Sequence, residues 1–372
     1  GEAWLQSTFF HVSQLASGAS AGYDSVVAPC VAELAKAGLV RVCGDGRVEA
    51  CPGGRFMSAF GMRFATMVQF DGLGGESGME EVLAALSQAR ELEEVLLRRN
   101  EKRVLAKLNL ARASSGDELP HPLVTRKRGQ SGGRGRRERT IRSEADKVNV
   151  LWQAALSGVK IEAPGLAQEA HRLVQIGARL SRALVQVLVL KLGRGGRTRC
   201  LRVVRAAVLV AKSFKAGLWH SSGLGARQLD GVGIQLARKL REAGLGGVAE
   251  VAAAVPGRLE SVCTRRAPFG AKLRSQAAAL VEGHRVRVQA RVSALRSGTG
   301  LAGWAIELVA EWPGWAVGSD AKATLLAGIV ETNDVVVLEA VQGNERVVSV
   351  TYSVDEAAAA GAGSGSKMTM AV

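Results

Sequence analysis

The chain has 372 residues, enough for two or three domains that each bury a core. Hydrophobic residues make up 47% and charged residues 22%, which argues against a disordered or low-complexity polymer. Lysine and arginine total 49 against 34 acidic residues, a net charge of +15, and clustered cations of this kind favour phosphate-rich partners through counterion release. An arginine-rich codon bias gives the same excess without any function, so charge alone decides little. Five cysteines (Cys30, Cys43, Cys51, Cys200, Cys263) and five histidines are dispersed, with no CxxC pair. That pattern argues against a disulfide framework or a zinc ribbon and fits a reducing compartment. The most apolar stretches, Ala183–Leu190 and Val203–Ala211, are short and flanked by Arg or Lys, so they read as buried helices and no membrane partner is expected. The chain does not begin with Met and shows no leader pattern, as expected of a piece cut from a longer protein.

Residues 4–13 (Trp4, Leu5, Phe9, Phe10, Val12) read as a short helix, and 24–37 as a second, with Val27, Val31, Leu34 and Ala35 at helical spacing before Gly38. Leu39–Cys43, the turn Gly44-Asp45-Gly46 and Arg47–Cys51 then read as two short strands around a glycine turn. Helices followed by a β-hairpin are the order of a winged helix, although any small α/β element shares it. Residues 55–71 and 78–109 are predicted helical. Between 110 and 142 the periodicity collapses, and Arg126, Lys127, Arg128, Arg134, Arg136, Arg137, Arg139 and Arg142 lie among Gly, Ser and Gln. Such a segment cannot bury a core and is predicted to be a disordered basic insertion, either a nucleic-acid grip, a localisation signal or a solvated loop. Helical periodicity returns from 143 to 283, with Ala167–Lys191 and Cys200–Trp219 as long helices. From 284 to 354 the period switches to two, in Val286–Val292, Trp304–Ala310, Val335–Val341 and Val347–Val354, which predicts a small β-sandwich. The Ala/Gly/Ser tail is predicted disordered.

The sharpest local pattern is Gln228-Leu229-Asp230-Gly231-Val232-Gly233-Ile234, followed by an amphipathic helix to Ala243. Gly231 and Gly233 suit a turn that takes positive φ and aims the next helix's free N–H groups outward at a phosphate oxygen. Arg238 and Lys239 add charge on that helix, and no base is read. This is the helix-hairpin-helix pattern of non-sequence-specific DNA binding; a degenerate hairpin used only for packing has the same appearance. On the helix 167–191, Arg172, Arg179 and Arg182 are spaced seven and three apart and share one face, which could run along a single strand or simply be solvated. No GxxxxGK[ST], GxSxG or HExxH occurs, and the tryptophans read as core residues, so no catalytic residue and no cofactor or metal site is assigned to this chain.

Residues 219–280 resemble the helix-hairpin-helix part of the Sec-homology unit of Ski-type, superfamily-two meiotic DNA helicases that promote crossovers. The likeness is carried by Leu229-Asp230-Gly231-Val232-Gly233 and by Leu259-Glu260 through Pro268-Phe269-Gly270, whose Pro-Phe-Gly ending differs from the RNA-unwinding cousins. Trp4–Phe9, Gly54-Arg55-Phe56-Met57-Ser58, Phe64-Ala65-Thr66-Met67 and Arg98-x-Asn100-Glu101-Lys102 are similar to further motifs of that family, and the likeness runs over roughly 3–354. Ala267, Thr264 and Cys51 depart from the family pattern, and the 120–142 insertion is peculiar to this sequence. The resemblance implies a mainly α chain with a small all-β part. Its parts would be a winged helix at 1–75 and a helical bundle at 76–220 carrying the disordered basic insertion near 110–142. A helix-hairpin-helix at 221–283, an immunoglobulin-like β-sandwich at 284–355 and a disordered tail at 356–372 would follow. It also implies a nuclear, DNA-binding accessory half of an ATP-dependent 3′-to-5′ helicase acting in meiotic recombination. The parent protein would hold ATP and Mg²⁺ in two RecA-like lobes that meet this half, and helix 167–191 would be a ratchet along single-stranded or branched DNA. A Sec-homology scaffold without a DNA role, or the unit of an RNA helicase, is the competing expectation.

Overall fold

A computed structural model describes residues 23–110, 119–123, 125–126, 137–138, 141–195, 200–283, 287–297, 300–311, 322–329, 333–342, 347–355 and 368–371. The helix expected at 4–13, most of the basic insertion and most of the tail lie outside these residues. The chain divides into two compact units, Gly1–Gly72 and Leu73–Val372, and the described part is mainly helical with a smaller all-β portion.

In the first unit, helix α1 (Tyr23–Lys36) leads into strands β1 (Val40–Val42) and β2 (Val48–Ala50), then helices α2 (Pro52–Ala59) and α3 (Phe64–Asp71). The strands pair antiparallel with Arg41 opposite Glu49, and these two side chains meet at 3.0 Å on the exposed face. Gly46, at φ +80, closes the turn, where the Arg47 amide donates to Asp45 at 3.1 Å and its guanidinium pairs with Asp45 at 2.6 Å, and these bonds hold Asp45 below its usual carboxylate range. Pro52 starts α2, where its missing N–H costs nothing. A side chain at Gly54 would run into the Leu39 carbonyl, so this glycine lets helix and hairpin touch. The single helix expected over 55–71 is broken, because Gly61 takes φ +57 between α2 and α3.

The second unit opens with α4 (Met79–Ser87), a 3₁₀ turn (Arg90–Leu92) and α5 (Glu101–Leu110), so the helix expected over 78–109 is interrupted. The interruption has a local cause: the Leu96 carbonyl accepts from the buried Lys147 ammonium, and Glu101 restarts the helix by accepting from the Arg98 amide. Thr125–Arg126 and Arg137–Glu138 of the insertion pair as two-residue strands β3 and β4. Helix α6 (Glu144–Ser157) is capped by the reciprocal Ser143 and Asp146 bonds and ends on Gly158 at φ +69. The 32-residue α7 (Pro164–Gly195) and α8 (Leu201–Ala216) pack with α6 around Trp152, whose ring meets Phe214 edge-on and whose Nε1 donates to the Leu173 carbonyl. Residues Pro164–Leu192 are long and apolar enough to cross a membrane by composition, but their apolar side (Leu173, Leu180, Leu184, Leu188) is buried within the protein.

Next come a 3₁₀ turn (Gly225–Gln228) and helices α9 (Ile234–Glu242), α10 (Val248–Ala253), α11 (Pro256–Cys263) and α12 (Phe269–Gly283). Leu229, Val232, Leu240, Leu259 and Leu273 form their shared core. Glu260 accepts from the Gly270 amide, and a side chain at Gly270 would strike the Pro256 carbonyl. The Leu-Glu and Phe-Gly motif steps therefore meet where α11 packs against α12.

The β portion consists of two three-stranded antiparallel sheets. One has the order β5 (Arg287–Ser297), β6 (Gly300–Glu311), β9 (Val347–Asp355); the other β10 (Met368–Ala371), β7 (Lys322–Ile329), β8 (Asp334–Gln342). Strand β7 carries no apolar alternation and was not expected. Met368–Ala371, within the stretch expected to be disordered, pairs with Leu326–Ile329, because the free edge of β7 offers unmade backbone bonds. Asn333, at φ +59, ties this part to the helices: its carbonyl and Oδ1 accept from the Leu201 and Arg202 amides, and its Nδ2 donates to Gly75 and Glu76.

Candidate nucleic-acid interface

One stripe of α7, Ala167, His171, Val174, Ala178 and Arg182, recurs at intervals of three or four residues and so faces one direction, with Arg179 at its edge. It forms one wall of a cleft of about 1170 Å³. The end of α6 with Gly158–Ile161, the end of α8 at Phe214–Gly217, and Arg227, Ile234, Gln235 and Arg238 complete the lining. Lys160, Arg179, Arg182, Lys215, Arg227 and Arg238 bring six Lys or Arg side chains to it, and among the described residues no Asp or Glu lines it. Apolar patches lie between the cations, including Val159, Ile161, Val174 and Ile234. The one aromatic lining residue, Phe214, is only 3% exposed and offers no stacking face. A groove of one sign with apolar walls focuses its potential on a polyanion and holds it by backbone phosphates rather than by bases.

The site residues named from sequence divide across this geometry. Arg179 and Arg182 stand in the cleft together with Arg238. Arg238 sits at the C-terminal end of α6, where its Nη2 donates to the Gly158 carbonyl at 3.2 Å. Its charge thus meets the negative end of that helix and locks α9 to α6, as well as adding to the field. Gly231 takes the positive φ of +79 required for the turn, Gly233 precedes α9 as its N-cap, and both are exposed. Neither lines the cleft, although the first residues of α9, Ile234 and Gln235, do. Lys239 is exposed outside it, and the helix expected before the hairpin is a single 3₁₀ turn.

Arg172 does not share the cleft. It is close to Arg179 around the α7 axis but about two turns nearer the helix start, where it lines a separate hollow with Glu94, Arg98, Asn100, Glu101 and Glu169. That hollow is mixed in charge, and its floor is neutralised. Lys147, 1% exposed, places its ammonium 2.8 Å from Glu101 Oε2, 2.9 Å from Glu169 Oε2 and 2.8 Å from the Leu96 carbonyl. Burial alone would raise the Glu101 pKa, but the bonds from Lys147 and the Arg98 amide outweigh it and hold the carboxyl below its usual range. The Glu of the Arg-x-Asn-Glu-Lys motif is thus a structural anchor.

Sequence reasoning missed Lys160, Lys215 and Arg227, each an isolated cation in a loop, a helix end or a 3₁₀ turn with no periodicity around it. Arg227 is the most unusual of them. Its Nη1 is buried without a hydrogen-bond partner, and burial lowers its pKa. Among the described residues, no group of three or more His, Cys, Asp or Glu is placed to hold a metal ion.

The chain is a helical scaffold with a C-terminal all-β part and a cationic cleft, and its family can be stated. Residues 50–355 match the Sec63 Brl domain, and the chain belongs to that family. It is 25% identical over 290 residues to a probable ATP-dependent DNA helicase HFM1 of Xenopus tropicalis, covering 74% of this chain and 20% of that protein. It is also 27% identical over 245 residues to the ATP-dependent DNA helicase MER3 homolog of Oryza sativa subsp. japonica, covering 65% and 19%. The human probable ATP-dependent DNA helicase HFM1 shares 23% identity over 284 residues, covering 73% and 18%. The chain therefore spans about a fifth of the length of these relatives, and it is similar to them as a Sec63-type unit.

Proposed function

We propose that this chain is the DNA-gripping accessory half of an ATP-dependent DNA helicase acting in meiotic recombination and crossover formation in the nucleus. The observation that carries the reading is the cleft, in which four separate parts of the chain bring six Lys or Arg side chains together without a carboxylate. The names of the relatives, ATP-dependent DNA helicases, supply the polyanion. In this reading residues 1–75 form a winged helix, 221–283 a helix-hairpin-helix and 284–355 an immunoglobulin-like sandwich. A single strand lies along α7 with its phosphates toward Arg179 and Arg182, and the surrounding apolar walls accept sugars and bases without reading sequence. ATP with Mg²⁺ is held by RecA-like lobes elsewhere in the full protein. This half contributes grip rather than chemistry, keeping a strand advanced 3′ to 5′ from slipping back.

The test is fluorescence anisotropy of a labelled single-stranded oligonucleotide titrated with the chain across a series of salt concentrations. Wild type binds with a steep salt slope, and R179A/R182A reduces that slope by roughly two because each phosphate contact contributes about one. A slope unchanged in the double variant removes the cleft as the interface. No binding at low salt removes the DNA role and leaves a protein-interaction scaffold.

A further inference from the structure

Buried polar groups are normally satisfied, because an unmade bond to a desolvated donor costs stability. Lys147 obeys this rule, with three oxygen acceptors. Arg227 does not. Its guanidinium lies beside Gly158 in the cleft wall, about 3.8 Å from where a side chain at that glycine would begin, and its Nη1 is sealed from solvent with no acceptor in reach. Burial lowers its pKa.

We propose that Arg227 is a fixed seat for one backbone phosphate of the bound nucleic acid. The missing partner is an oxyanion, which would meet the guanidinium where it lines the cleft and supply its counter-charge. Three features select a phosphodiester in a polynucleotide over a free anion. Arg179, Arg182, Lys160 and Lys215 line the same cleft and can take neighbouring phosphates. The apolar surface of Val159, Ile161 and Ile234 is unsuited to a small hydrated ion but suits sugars and bases. Arg227 also belongs to the 3₁₀ turn that leads into the Gly231–Gly233 loop, so occupying it would link the α7 wall to the hairpin. The proposal rests on the cleft being a nucleic-acid interface and adds that one position in it is held in register, with the others giving diffuse attraction.

A binding arginine left unpaired in the free protein has a signature that a structural arginine lacks: removing it should stabilise the free chain while weakening the complex. The experiment compares wild type, R227Q and R179A/R182A in the full 372-residue chain. Thermal melts are recorded with and without millimolar inorganic phosphate, and single-stranded oligonucleotide binding is followed by anisotropy across salt. R227Q should raise the melting temperature of the free chain by about 2 °C. It should weaken oligonucleotide binding by roughly 10-fold or more, as expected for a charge-assisted bond, and lower the salt slope by roughly one. A lower melting temperature in R227Q makes Arg227 structural and overturns the proposal. Oligonucleotide binding unchanged in R227Q but weakened in R179A/R182A also overturns it, while leaving the cleft reading intact. A phosphate-dependent rise in melting temperature that R227Q abolishes, without any oligonucleotide binding by wild type, replaces the nucleic acid with a free phosphate ligand and sinks both readings.

Discussion

Two groups of cations on and around α7 have the same residue types and opposite fates. At the helix start, Lys147 is 1% exposed and fully engaged by Glu101, Glu169 and the Leu96 carbonyl. About three turns further along, Arg179 and Arg182 face a cleft whose lining among the described residues includes no carboxylate. A buried charge with every partner in place holds helices together and has nothing left to offer a ligand. A set of like charges with no counter-ion costs the free protein some self-repulsion and persists where something else neutralises it. Compensation, rather than charge, separates scaffold from interface.

The contrast can be broken most forcefully at Lys147. K147M leaves two partly buried carboxylates facing each other without their shared cation and should cost about 3–5 kcal/mol, read as a lower urea midpoint. An intact midpoint would mean the triad does not hold α5, α6 and α7 together. Gly177 is next. A side chain there would begin 2.5 Å from Phe214 and 3.0 Å from Trp152, so G177A should destabilise by about 1–3 kcal/mol through overpacking at the α7–α8 crossing. A G177A chain as stable as wild type would show that the crossing can open.

Acid should dissolve the triad selectively. Glu101 is held below its usual range, chiefly by Lys147 and the Arg98 amide acting against burial. A carboxyl of lowered folded pKa stabilises the protein above its unfolded value and stops doing so as the pH falls through the folded value. Melts between neutral pH and pH 3 should therefore show wild type losing more stability than E101Q; parallel profiles would contradict this. The smallest effect sharpens the other side of the comparison. R172A, outside the cleft, should leave both melting temperature and the salt slope of oligonucleotide binding nearly unchanged, within about 0.5 kcal/mol for stability. A loss equal to that of R179A/R182A would return Arg172 to the interface.

Much of the helical content was legible because apolar residues recur with the helical period, as along Ala167–Lys191, and because glycines mark ends, as at Gly38 and Gly217. Alternation located β5, β6, β8 and β9, but β7 carries none and β10 depends on an edge supplied from another part of the chain. The break in the helix expected over 78–109 was hidden for a similar reason. Leu96 leaves the helical path to meet Lys147, a residue far along the chain whose position no local window contains.

The candidate site was half legible. Spacing on one helix placed Arg179 and Arg182 together, and the glycine pair marked the start of α9, since both follow from backbone geometry within a few residues. The sequence by itself thus determined the helices, the glycine turn, the excess of positive charge and the family motifs. Only the tertiary structure decided which cations are neutralised and which share a cleft. It sent Arg172 to a neutralised hollow, turned Arg238 into a lock on α6, and left Arg227 without an acceptor. The physical reason is that charge compensation depends on distances of a few ångströms between groups far apart in the chain, and those distances exist only once α6, α7, α8 and α9 have packed.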